Sequence, residues 1–188
     1  MPKHATITKK MIDEAAFNVV RRSGLSALTA RNIADELNCS TQPIYSVYRN
    51  MSELKKDVME ILNDYIVRYV GNYKRTGQVL LDAGLGYINF AKTEKILFQS
   101  FELGMRDPGD DSSIGHVAIR ELMEAELKKY TFSKDSRDRI FLQIVVFTYG
   151  LAVLNYLNCF EYDEEFTASL IQNTFDSYVK QESERRIT

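Results

Sequence analysis

Thr29-Ala30-Arg31-Asn32-Ile33-Ala34-Asp35-Glu36-Leu37-Asn38-Cys39-Ser40-Thr41-Gln42-Pro43-Ile44-Tyr45-Ser46-Val47-Tyr48 contains two short segments of helical periodicity joined by a three-residue turn. The first runs from about Thr29 to Leu37 and turns Ile33, Ala34 and Leu37 inward; the second covers about Thr41 to Tyr48. Two helices that cross over so short a turn need a small residue at the crossing, and Ala34 supplies it. The turn itself needs a residue that tolerates left-handed dihedrals, for which Asn38 is the best choice after glycine. Ile33, Leu37, Cys39, Ile44 and Tyr48 plug the crossing. Ser40 is placed to cap the second helix, and Pro43 falls in its first turn, where a missing N–H has no intrahelical partner in any case. The pattern is a helix-turn-helix.

Helical periodicity continues on both sides. Upstream, a helix begins near the N-cap candidate Thr8, buries Ile12, Ala15, Ala16, Val19 and Val20, and stops at Ser23-Gly24. Downstream, Asn50 caps a long fourth helix with Glu53 three residues on, as in a capping box. That helix carries Leu54, Val58, Ile61, Leu62, Tyr65 and Val70 and breaks in GNYKRTG, 71–77. Five more helices are expected at about 78–92, 94–105, 113–130, 135–159 and 163–182, with Gly84 and Gly86 weakening the first of them. The fold class expected is all-α, about nine helices, with a three-helix head and a larger helical bundle behind it. The head occupies 1–50, the fourth helix at 51–70 connects, and the body runs over 71–188.

Charge divides along the same line. Residues 1–50 hold seven basic and four acidic side chains, net +3, while the remainder holds 17 basic and 22 acidic, net −5. A basic head on an acidic body points to a polyanion partner for the head alone. Asp35 and Glu36 then face away from it. A reading helix exposes short polar side chains where it enters the major groove, and Ser40, Thr41, Gln42 and Ser46 are such a set. Gln pairs bidentately with adenine, and Thr offers a methyl to thymine. Tyr45, Tyr48, Arg49 and Lys55 are candidates for phosphates around the rim, joined by the helix starts at Thr29 and Asn50.

Over residues 8–62 the chain resembles the N-terminal domain of the TetR family of transcriptional regulators. The resemblance rests on Ile12, Ala15, Ala16, Val20 and Gly24, then Leu28-Thr29, Arg31, Ile33-Ala34 and Leu37, then Ser40, Ile44-Tyr45, Tyr48 and Leu54. Arg31 joins the candidate DNA contacts on this register. Met51 stands where the family usually has a phosphate-facing Lys, so Arg49 or Lys55 must serve instead. Further on, Phe90-Ala91 with Leu97-Phe98, and Phe147-Thr148-Tyr149-Gly150-Leu151-Ala152, resemble later helices of some members. The resemblance implies a repressor that binds a pseudo-palindromic operator in double-stranded DNA as a homodimer. It also implies a body that pairs subunits through its last two helices and encloses a ligand pocket.

On that footing the apolar stripe of Gly150, Leu151 and Leu154 on one helix and Phe166, Leu170, Phe175 and Tyr178 on the last is the expected dimer interface. Tyr87, Phe98, Phe101, Met105, Met123, Phe141, Gln143 and Tyr149 are the expected lining of a pocket for a small apolar or aromatic effector, with Arg120 or Arg139 available to an anionic group.

Other classes find little support. Cys39 and Cys159 are too far apart for a metal-ligand pair, and neither His4 nor His116 has ligand spacing around it. There is no Gly-rich phosphate loop and no Ser or Cys beside a plausible His, so neither an enzyme nor a cofactor is expected. Asp107, Asp110 and Asp111 miss the spacing of a calcium loop. The start MPKHATITKK has no secretory character and no apolar run approaches a membrane span, so a cytoplasmic protein with no membrane partner is expected. A helical protein–protein adaptor with a merely structural head stays open as the alternative; binding to duplex DNA with a salt slope separates the two.

Overall fold

The computed structural model describes residues 7–103, 124, 126–159 and 162–185. Among these the chain is all-α, with no strand. The helices are α1 (Lys9–Ser23), α2 (Ala30–Glu36), α3 (Gln42–Val47), α4 (Met51–Gly71), α5 (Val79–Thr93), α6 (Lys95–Phe98), α7 (Lys134–Tyr156) and α8 (Glu164–Arg185). A 3₁₀ turn at Leu25–Ala27 precedes α2, and α6 runs into a π-helical turn at Gln99–Leu103. The expected helix at 113–130 lies largely outside the described residues, as do Met105, His116, Arg120 and Met123.

The chain forms two compact units. The first comprises 7–65 and 96–103, the second 66–95 and the described residues from 124 onward. The first unit is thus larger than the head read at 1–50: it takes in most of α4 and also the segment from Ile96.

In the first unit, local chemistry starts and stops each helix. Thr8 accepts from the Met11 N–H at 3.3 Å to open α1, and Gly24, at φ 81°, closes it with its N–H on the Val20 carbonyl at 2.8 Å. Thr29 accepts from the Asn32 N–H at 3.2 Å to open α2. Asn50 accepts from the Glu53 N–H at 2.9 Å, and Glu53 reaches back to the Arg49 N–H at 3.1 Å, so the expected box forms one residue wider. Ile12, Ala16 and Val20 of α1, Ile33 of α2, Ile44 of α3 and Leu54, Val58 and Leu62 of α4 make a core with no exposed surface.

In the second unit α5 is the central element: all of 80–88 is buried, against α7 and α8. The two glycines that weaken it as an isolated helix are there for close approach. A Cβ on Gly84 would meet Ile171 Cδ1 at 2.9 Å, and one on Gly86 would meet Tyr73 Cβ at 2.8 Å and the Val70 carbonyl oxygen at 3.1 Å. The two sites differ in what can yield. Ile171 Cδ1 is the far end of a side chain, whereas Val70 O and Tyr73 Cβ belong to, or are fixed to, the backbone. Gly86→Ala is expected to destabilise the protein by about 1–3 kcal/mol, despite the roughly 1 kcal/mol that alanine contributes to helix propensity. Gly84→Ala should cost clearly less, and thermal melts of the two variants side by side check the ordering.

The GNYKRTG break is held by a residue the sequence reading passed over. Asp82 is 2% exposed and accepts from the N–H groups of Arg75 (3.0 Å) and Thr76 (2.7 Å) and from the Thr76 hydroxyl (2.9 Å). These donors hold its carboxyl below the usual range, outweighing the burial that opposes them.

Candidate nucleic-acid interface

The helix-turn-helix is built as its residues dictate. Asn38 takes φ 51°, and the Cys39 N–H closes on the Ala34 carbonyl at 2.9 Å, satisfying a carbonyl left over at the end of α2. Ala34 is 3% exposed at the crossing. One local expectation fails: Ser40 does not cap α3. The helix starts at Gln42, Thr41 occupies the cap position in a helical conformation, and no side-chain oxygen bonds the first turn. Pro43 accordingly sits second in the helix, and its fixed φ stiffens that uncapped turn.

α3 presents two faces. Ile44 is buried, while Gln42, Tyr45 and Ser46, at i, i+3 and i+4, are exposed; Tyr45 is 52% exposed. Ser40 and Thr41 are exposed ahead of it, as are Thr29 at the cap of α2, Arg31 on α2, Arg49 after α3, and Lys55 on α4. Nine of the ten sequence-derived contact residues are therefore solvent-facing. Ser46 donates its hydroxyl hydrogen to the Gln42 carbonyl at 2.9 Å, leaving its oxygen as an acceptor. Val47, which the sequence reading did not single out, is 37% exposed and adds an apolar group beside this face.

Tyr48 is the correction. Expected both to plug the crossing and to reach a phosphate, it does only the first: it is 2% exposed, and its hydroxyl donates to Asp13 of α1 and lies 3.1 Å from Asp57 Oδ2 of α4. Lys9 bridges the same two carboxylates at 2.9 and 2.8 Å. Burial is the main cause that pushes the phenol well above its ordinary pKa, and the bond to Asp13 adds to it. The hydrogen bond from Lys9 holds the Asp57 carboxyl low, and Asp57 in turn raises Lys9. A phenol committed to two carboxylates is turned away from any phosphate. Elsewhere on the head, Arg22 pairs with Glu36 at 2.7 Å, which occupies one of the two acids near the turn.

In the second unit the stripes expected for subunit pairing separate into two sets. Phe175 is 3% exposed and stacks edge-on to Tyr130 at 6.1 Å, so it belongs to the unit's own core and is removed from the interface set. Phe166 is 45% exposed, and Gly150, Leu151, Leu154, Leu170 and Tyr178 are half-buried. The largest exposed apolar groups of α7 were missed: Leu142 at 61% and Val146 at 62%. With Gly150 and Leu154 they form one i, i+4 series, and a Cβ on Gly150 would meet nothing within 4 Å. The signal was present in the spacing, but α7 is apolar nearly all round, which hides the direction of the free face. Its best 18-residue window has a mean hydropathy of 1.4, with 33% of it buried, so by length and composition alone α7 could cross a membrane.

The expected pocket lining divides between the units. Phe98 and Phe101, at 0% and 4% exposed, belong to the first; Tyr87, Phe141, Gln143 and Tyr149 belong to the second. Gln143 Oε1 is buried with no hydrogen-bond partner among the described residues. Two clefts within the second unit are lined largely by charged and polar side chains. One of ≈ 440 Å³ involves Lys128, Lys134, Arg137, Asp138 and Phe141, and one of ≈ 530 Å³ involves Ser133, Ser136, Arg139, Glu182 and Arg185. Neither is an apolar chamber. Among the described residues no group of His, Cys, Asp and Glu is arranged to hold a metal.

No family model and no curated protein matches this chain. Solved structures do. The multidrug binding protein EbrR in complex with imidazole aligns with a TM-score of 0.63 at 16% identity, covering 88% of both chains. The same protein in complex with ethidium aligns at 0.56 and 15% identity, covering 91% of this chain and 99% of that one. A TetR-family member from Streptomyces coelicolor A3 aligns at 0.63 and 17% identity, covering 88% of this chain and 96% of that one. At such identities the likeness is one of fold: this chain has the all-α architecture of those proteins over most of its length.

Proposed function

We propose that this protein is a homodimeric, effector-responsive DNA-binding regulator that represses by occupying a pseudo-palindromic operator. The observation that carries the reading is the two-faced α3: Ile44 buried, and Gln42, Tyr45 and Ser46 exposed beside Thr41 and Arg49 at the end of a basic head. An amphipathic face alone suits any surface helix; here it carries short polar and amide side chains at the second helix of a helix-turn-helix, beside Arg49, as a helix entering a major groove requires. Thr41 and Gln42 read base edges; Tyr45, Arg49 and Lys55 hold phosphates, with Thr29 and Arg31 at the start of α2. Two heads on one dimer read half-sites about 34–36 Å apart or somewhat more.

The dimer forms through α7 and α8, on the face that carries Leu142, Val146, Gly150, Leu154, Phe166 and Leu170. The effector is a small apolar or aromatic molecule. EbrR, of the same fold, is described with imidazole and with ethidium, and Gln143 Oε1 offers an acceptor to a polar handle on such a ligand. An effector acts only through its different affinities for the two head spacings, a coupling of about 1–3 kcal/mol.

Selection of bound duplexes from a random library, followed by titration at several salt concentrations, tests the reading. Gln42→Ala should relax preference at one or two base pairs of each half-site, at about 1–3 kcal/mol for the lost discrimination. Arg49→Ala and Lys55→Ala should weaken binding to all sequences and lower the salt slope by about one each. Uniform weakening from Gln42→Ala with base preference intact would remove it from the reading set. No duplex bound and no salt slope would favour the adaptor alternative.

A further inference from the structure

α3 is weakly held by its own residues. It has six residues, buries only Ile44 among them, and has no side-chain cap at its N-terminus. Yet a bidentate contact from Gln42 needs the helix placed to within about 0.5 Å. Something beyond α3 must supply that constraint.

The residue that ends the helix does. A phenylalanine in place of Tyr48 would fill the same core position, but its ring could slide. The Tyr48 hydroxyl donates to Asp13 on α1 and faces Asp57 on α4 at 3.1 Å. Lys9 closes the group, 2.9 Å from Asp13, 2.8 Å from Asp57 and 5.1 Å from the centroid of the Tyr48 ring. Two carboxylates on two helices are thus joined through one ammonium and one phenol at the end of a third. Hydrogen bonds to charged acceptors are stronger and more directional than ring packing.

We propose that Tyr48, clasped between Asp13 and Asp57, is the positioning residue that fixes the pose of α3 for base reading. The proposal rests on the DNA-reading function above. It makes the clasp a determinant of specificity and not of phosphate affinity. Tyr48 touches no DNA; it holds the end of the helix that does.

Tyr48→Phe keeps the ring and deletes the hydroxyl. Two readouts apply, both well below the melting temperature. The first is affinity for the selected operator and for an unrelated duplex at the same salt. The expected result is a loss of about tenfold or more on the operator, the size of one weakened base contact, with the unrelated duplex and the salt slope unchanged. The second, which needs no DNA, is amide hydrogen exchange, expected to speed up at Tyr45 and Tyr48 while the α1 amides stay protected. Should Tyr48→Phe not fold, Asp57→Ala leaves the ring and Asp13 in place, and the same two shifts are expected in smaller size. Equal loss on both duplexes would overturn the proposal by making Tyr48 a general affinity residue. An unchanged operator preference with unchanged α3 exchange would overturn it as well. A wild-type protein that binds no duplex would overturn the DNA-reading premise itself, a failure distinguished by the exchange data, which still show whether the clasp holds α3.

Discussion

Leu142→Glu combined with Val146→Glu is expected to turn the protein monomeric at micromolar concentration without unfolding it. Both side chains are more than 60% exposed in the subunit, so neither contributes much to its core. Burial of a large aliphatic side chain is worth about 1.5–3 kcal/mol, and a two-fold interface contains each position twice. The four side chains, already more than a third buried in the subunit, then contribute at most roughly 6–12 kcal/mol, set against the cost of association. Four buried carboxylates in their place also repel one another. Sedimentation gives the outcome, and circular dichroism checks the fold. Operator affinity should fall with the dimer, since each head then binds without the effective concentration that its partner supplies. A double variant that still sediments as a dimer would move the interface off this face of α7. The half-buried Leu170 is a less clean probe, because a change there disturbs the bundle too.

Arg139→Ala is expected to destabilise the second unit by leaving the buried Glu182 carboxylate short of a partner. Glu182 lies on α8 at 3% exposure, and Arg139 of α7 grips both its oxygens at 3.0 and 2.6 Å, while Arg185 reaches one at 2.8 Å. The Arg139 hydrogen bonds hold the Glu182 carboxyl down at about 2, against an ordinary 4.5. Only Glu182 is buried: the Arg139 side chain is about half exposed, so water screens part of the loss, and Arg185 still holds the carboxylate. The sign with pH follows from the depressed value. The contribution is fully present above pH 4.5 and is lost as pH falls through about 2. Urea titrations from pH 7 down to pH 2.5 should show wild type losing stability below pH 4.5. The Glu182→Gln variant should be less stable at pH 7 and flatter below pH 4.5. A parallel pH profile in the two proteins would show that the pair is not what the acid limb reports.

The head was legible in the sequence to within a residue or two, and the surface of α3 with it. Thr8, Thr29, Asn38 and Asn50 act within three to five positions of themselves, so their effects can be read without knowing what packs on them. The same logic would have ended α7 correctly. Leu157-Asn158-Cys159 repeats Leu37-Asn38-Cys39, Asn158 takes φ 53°, and the Cys159 N–H closes on the Leu154 carbonyl at 2.9 Å as Cys39 does on Ala34. The helix read through 159 stops at Tyr156. In the body legibility falls off because periodicity loses its direction: α5 is buried on every side, and α7 is apolar nearly all round.

The sequence by itself determined the helices of the head, the turn that crosses α2 over α3, the polar face that Gln42, Tyr45 and Ser46 present, and the charge difference between head and body. All of these depend on neighbours in the chain or on simple counts. Only the tertiary structure decided where the Tyr48 hydroxyl goes, what Phe175 does, where Asp82 and Glu182 find their donors, why Gly84 and Gly86 stand inside α5, and which side of α7 stays bare. Those answers depend on partners brought in from elsewhere: Asp13 lies 35 positions from Tyr48, and Arg139 lies 43 from Glu182. Nothing in the pattern around a residue names a partner at that distance, so an aromatic on an amphipathic stripe reads the same whether packing encloses it or leaves it facing water.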